Sequence, residues 1–172
     1  MIRRLVLSSL CLLIATGCRS GLTEQEYSNQ FKASAEKYLA LAREVANKPL
    51  PNKTGLTREE RYAALAAFLR ENNQKFRALA LEIKKLQPPA PYQNVHTAWL
   101  ELVEGQVSRE EQYAASLDSL DKAKRDQLSE ELFTFLRSQG EKLLDEIEKA
   151  GGDVAKTKAT FEKSMQEYTK TQ

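Results

Sequence analysis

Leu65, Phe68, Asn72, Phe76, Leu79, Ile83 and Leu86 follow one another at steps of three and four residues. That period lines them up along one stripe of an α-helix, whereas a strand would need apolar residues at every second position. A stripe this long has to be covered by other helices, because a lone amphipathic helix leaves its apolar face in water. The ends of the segment are marked as well. Thr57-Arg58-Glu59-Glu60 is a capping box, in which the hydroxyl accepts from the third amide and the Glu reaches back to the first. Gln87-Pro88-Pro89-Ala90-Pro91 stops the helix, since proline lacks the amide that would continue it.

The same grammar repeats along the chain. Thr23-Glu24-Gln25-Glu26 is a second capping box, and Tyr27, Phe31, Tyr38, Ala42 and Val45 form the stripe behind it, up to a Pro/Asn/Gly loop over residues 47–55. After Pro91 no proline occurs, and the period resumes with Tyr92, Val95, His96, Trp99, Leu102 and Val103, then Tyr113, Leu117 and Leu120. Residues 116–124, with Asp118, Ser119 and Asp121 as candidate caps, are the expected turn into a fourth helix carrying Leu128, Leu132, Phe135, Leu136, Leu143 and Ile147. Gly151-Gly152 favours termination there, yet Val154, Phe161, Met165 and Tyr168 keep the phase. The expected fold class is therefore all-α: an up-and-down four-helix bundle over residues 23–172, its last helix long and kinked or split at Gly151-Gly152. Phe76, Leu79, Ile83, Trp99 and Leu132 are the expected core, with Lys84 off the stripe.

Residues 1–21, MIRRLVLSSLCLLIATGCRSG, follow a different logic. Arg3 and Arg4 form a positive n-region and residues 5–15 a short apolar h-region, the layout of an export signal. The uncharged stretch is shorter than the roughly 20 apolar residues that a spanning helix needs. Ala15-Thr16-Gly17 are small, and Cys18 stands directly after them. This arrangement resembles the lipobox of bacterial lipoproteins, although that family prefers Leu where Ala15 stands. The resemblance implies cleavage before Cys18, diacylglycerol on its thiol and acylation of the new amine. It divides the chain into a signal peptide (1–17), a lipidated cysteine with a short tether (18–22) and the helical domain. It also implies a membrane-bound envelope protein, on the periplasmic face of the outer membrane in a Gram-negative host, because Arg19 is not the Asp that retains such proteins at the inner membrane. The body likewise resembles small helical lipoproteins of unassigned role.

Cysteine usage agrees: Cys11 would leave with the signal and Cys18 would carry lipid, so no disulfide framework remains. The chain carries 26 Lys+Arg against 24 Asp+Glu, and losing Arg3 and Arg4 balances them. A neutral domain without a basic stripe does not read as a nucleic-acid binder. His96 is the only histidine, and its setting Gln93-Asn94-Val95-His96 offers Gln where di-iron bundles place Glu. A hydrogen-bonded histidine early in the third helix is the expectation. Asn72 is placed at the edge of its stripe, and Glu110-Glu111 and Glu130-Glu131 on a solvated face, because adjacent residues diverge by about 100 degrees around a helix. No phosphate loop or nucleophile elbow is present. The expected function is a non-catalytic, lipid-anchored interaction or structural module with no cofactor, whose partner surface includes Lys48, Lys53, Arg58, Asp118, Asp121 and Lys124 in the loops far from the tether. The alternative is a small-ligand, metal or haem binder using His96 and Trp99.

Overall fold

The computed structural model describes residues 22–47, 55–119, 121–155 and 158–159. Four helices make up the body: α1 (Glu24–Asn47), α2 (Arg58–Lys84), α3 (Gln93–Asp118) and α4 (Lys122–Lys149), with a 3-10 turn at Ala90–Tyr92 before α3. Among the described residues there is no strand, and no helix is long and apolar enough to cross a membrane.

Three of the four helices begin at a polar cap, whereas α3 follows the 3-10 turn without a side-chain cap. Thr57 Oγ1 accepts from the Glu60 amide at 3.2 Å and the Glu60 carboxylate accepts from the Thr57 amide at 2.7 Å. Thr23 and Glu26 repeat the exchange at 3.2 and 2.8 Å. These bonds satisfy amides that the first helical turn leaves open, which is why both carboxyls titrate below the usual Glu range. Asp121 caps α4, accepting from the Lys124 amide at 3.0 Å.

Charged pairs record how the helices run. Arg70 pairs with Asp118 (2.6 Å), Arg77 with Glu111, and Lys84 with Glu104 (3.9 Å). Each step is seven residues up α2 and seven down α3, so the two helices are antiparallel with a heptad-spaced charge ladder along their seam. Lys37–Glu82 and Glu44–Lys75 do the same between α1 and α2, and Lys142–Glu101 joins α3 to α4. All are exposed, so each contributes at most about 1 kcal/mol and acts mainly on register. Ring contacts of Tyr27 with Tyr92, and of Phe31 and Tyr38 with Trp99, set α1 parallel to α3. The order is up, down, up, down, as the sequence implies.

The interior has two apolar clusters. The larger takes Tyr27, Phe31, Tyr38, Phe76, Leu79, Ile83, Tyr92, Val95, Trp99, Val103, Val107 and Leu143 from all four helices. The smaller is Ala66, Leu69, Ala114 and Leu117, backed by Tyr62, Leu65 and Tyr113. Between them lie Asn72 and Asn73 on α2 and Glu110 on α3, each about 1% exposed.

Several expectations need correction. Asn72 is buried and not at the stripe's edge; its amide donates to the Phe68 carbonyl at 2.7 Å, which lets a polar side chain stay inside. Glu110 is buried while Glu111 pairs with Arg77, so the two acids take opposite environments; Glu130 and Glu131 are both exposed as expected. Leu132 is only half-buried, because α4 turns Phe133 inward in its place. The α4 terminus is a split and not a kink. Gly151 adopts φ 90°, its amide donates to the Glu148 carbonyl and the Gly152 amide to that of Ile147, a Schellman closure that only a residue tolerant of left-handed backbone permits. Helix resumes at Ala155, and Lys158 reaches back to Asp145 (2.7 Å) and Glu148 (2.5 Å) while Val154 enters the core. Phe161, Met165, Tyr168 and Leu120 lie outside the described residues.

Candidate functional site

Three places in the bundle hold polar chemistry. The first is at the end where α1 and α3 begin. Tyr92 stacks on Tyr27 with centroids 5.6 Å apart, and His96 stands 6.1 Å from Tyr27. The Tyr92 hydroxyl donates to buried Glu24 at 3.5 Å. Burial raises the Tyr27 phenol well above its ordinary value and, together with Glu24, raises Tyr92. His96 is half-buried, which lowers its pKa, and its Nδ1 finds no hydrogen-bond partner among the described residues. The histidine is thus early in α3 as expected, but its Nδ1 is not hydrogen-bonded as expected. Trp99, one turn on, is fully enclosed; its Nε1 donates to Ser34 Oγ at 3.0 Å and its ring meets Phe31 and Tyr38. The two residues share the α3 face that meets α1. Among the described residues no three of His, Cys, Asp and Glu are grouped so as to hold a metal.

The second place is the polar layer between the two clusters. The Tyr38 hydroxyl donates to Gln106 Oε1, and Gln106 Nε2 donates to Glu110 Oε1 at 3.0 Å. Asn73 donates to the Val107 carbonyl at 3.5 Å. This chain of bonds ties α1, α2 and α3 together at one level. It is buried within the bundle, where such a network fixes the helices against one another.

The third is the opposite end, where α2 starts and α3 turns into α4. Here Tyr62 is overlain by two guanidinium groups, Arg125 at 4.6 Å and Arg58 at 5.4 Å. Arg58, Asp118, Asp121 and Lys124 all fall at this end. Asp118 is engaged by Arg70 and Asp121 by its capping role, whereas Lys124 is exposed. Lys48, Lys53 and Cys18 lie outside the described residues.

Arg125 and Tyr62 were not among the residues singled out from the sequence, and Glu110 was expected on a solvated face. A signal existed for two of them. Arg125 is three residues before Leu128 and seven before Leu132, and Glu110 is seven from both Val103 and Leu117. A charge standing in phase with an apolar stripe is the pattern to look for. Against known proteins, the chain matches no family model, no curated protein and no solved structure.

Proposed function

We propose that the protein is a lipid-anchored component of a cell envelope, attached through Cys18, whose helical bundle is a non-catalytic module that engages a protein partner. The observation that carries this reading is the junction between the lipobox-like residues and the fold. Leu22 packs against the main core, Glu24 is buried and Tyr27 is fully enclosed, so the bundle is built right up to the expected anchor. From Cys18 to Leu22 an extended chain reaches roughly 14 Å at about 3.5 Å per residue. A domain on so short a tether sits on the bilayer surface. The end carrying Glu24 and Tyr92 faces the lipid, and the end carrying Arg58, Tyr62, Lys124 and Arg125 faces away, toward a partner. The small-ligand alternative has less support, because the Trp99 indole is already bonded to Ser34 and enclosed by Phe31 and Tyr38.

Radiolabelled palmitate should enter the wild-type protein and not Cys18→Ser, which should also leave the membrane fraction. Equal labelling of the two would defeat the anchor. For orientation, single fluorophores at Ala90→Cys and at Lys124→Cys, in a Cys11→Ser background, report on the two ends in proteoliposomes. A quencher in the bilayer should dim position 90 more than 124, and the reverse order would overturn the placement.

A further inference from the structure

Arg125 stands in the first turn of α4 and is only 5% exposed. Its guanidinium rests over Tyr62, and its Nη1 is buried with no hydrogen-bond partner among the described residues. Arg58 meets the same ring, donating from Nε to the Tyr62 hydroxyl at 3.4 Å, and Arg61 precedes Tyr62 in the chain. The hydrogen bond from Arg58, then the positive charges of Arg125, Arg58 and Arg61, hold the Tyr62 phenol below its ordinary pKa. An aromatic face offsets part of the desolvation of a guanidinium, but it gives Nη1 no acceptor. A buried cation without an anion is among the least favourable arrangements in a folded protein.

The acids described at this end do not relieve it. Asp118 is taken by Arg70, Asp126 by Lys122, Asp121 by the α4 amide and Glu60 by the capping box. Glu59, in the same turn as Arg58, makes no ion pair with the three arginines. We infer that Arg125, rimmed by Arg58 and Arg61, is a binding site for carboxylates on an acidic segment of a partner polypeptide. A guanidinium offers parallel donors that match a carboxylate. The cations are also spread over the tip, from Arg58 and Arg61 on α2 to exposed Lys124 beside Arg125 on α4, a spacing that suits several acidic side chains in a row better than one small ion. The inference rests on the reading of the bundle as a partner-binding module and gives that partner its chemistry.

The test is fluorescence anisotropy of a labelled oligoglutamate peptide with the full-length protein in detergent micelles, with oligolysine and inorganic phosphate as the other probes. Oligoglutamate should bind, oligolysine should not, and added salt should weaken the complex. Arg125→Met should lose at least about tenfold in affinity, the weight of one hydrogen bond to a charged group, while its helical circular dichroism persists and its melting temperature holds or rises. Should that variant not fold, the rim double variant Arg58→Gln/Arg61→Gln decides, with a several-fold loss expected. Oligoglutamate binding that is absent, or equal in wild type and in whichever variant decides, overturns the site. Phosphate binding that depends on Arg125 more strongly than peptide binding does overturns the assignment to a polypeptide. Palmitate labelling is independent of all these outcomes, so the anchor and the site fail separately.

Discussion

Around Trp99 the interior is aromatic and drawn from all four helices, whereas around Leu117 it consists of two alanines and two leucines from α2 and α3 alone. The aromatic half lies at the end where the chain enters the bundle. The small-residue half leads to the tip, where a buried arginine takes the place that an apolar side chain would fill. Large rings bury more surface per residue and make many more close contacts, so most of the cohesion belongs to the first half. The second half trades some of it for charge. Stability and proposed recognition are thus placed at opposite ends, separated by Asn72, Asn73 and Glu110.

The largest test of that contrast is truncation on either side of the polar layer. Trp99→Ala removes the most enclosed ring and the bond to Ser34 and should destabilise by about 3 to 5 kcal/mol, whereas Leu117→Ala should fall near 2 kcal/mol, the low end for a buried leucine. Urea unfolding followed by circular dichroism gives both numbers; a greater loss at Leu117 would reverse the ranking of the two halves. Next in size is Gly105→Ala. A Cβ there would stand 2.1 Å from Phe135 Cζ, and Phe135 is itself held under the Arg109 guanidinium at 3.6 Å. Alanine favours a helix interior by about 1 kcal/mol, yet the overlap should turn the net effect into a loss of about 1 to 3 kcal/mol. A stabilised variant would mean that α3 and α4 are not in close contact at this level.

The layer between the halves is sharpened by Asn72→Leu. Asn72 Oδ1 is buried without a partner among the described residues, so an apolar side chain of similar size should join the two clusters and stabilise by about 1 kcal/mol. A destabilised Asn72→Leu would show that the amide is essential to helix register.

The smallest effect is one of pH. Burial lowers the pKa of His96 in the folded state, so the unfolded chain binds the proton more readily. The contribution of this residue is therefore complete above about pH 6.5, the unperturbed value, and declines as pH falls below it. The carboxyls of Glu26 and Glu60 lose their contribution at still lower pH, below the ordinary Glu value. Melting temperatures from pH 7 to pH 5 should fall less for His96→Gln than for wild type; parallel curves would remove the histidine from the account.

Much of the bundle could be read from local pattern. Both capping boxes, the proline stop before α3, the turn within residues 116–124 and the α1 and α2 stripes depend on neighbours within a few residues, and the fold keeps them. The errors cluster where a residue's environment is set by another helix. Asn72 and Glu110 look like edge and surface residues by type, yet the facing helices enclose them. Leu132 and Phe133 sit about 100 degrees apart around α4, and only the direction of α3 and α1 decides which turns inward. The candidate site divides in the same way: Arg58 and Lys124 were legible as cations near the helix starts, but Arg125 was not, because its stacking on Tyr62 joins residues 63 positions apart.

The sequence by itself determined that this chain is helical, where its described helices begin, and that a short apolar stretch near its start is followed by a cysteine. Those properties follow from amide capping, proline geometry and the 3.6-residue period, all of which act over one or two turns. Only the tertiary structure decided which polar residues lie inside, that Gly151 closes α4 outright, and that two guanidinium groups from different helices overlie one tyrosine. The reason is range: burial and charge pairing depend on distances between helices, and a linear pattern carries the phase of each helix but not the neighbour toward which that phase is turned.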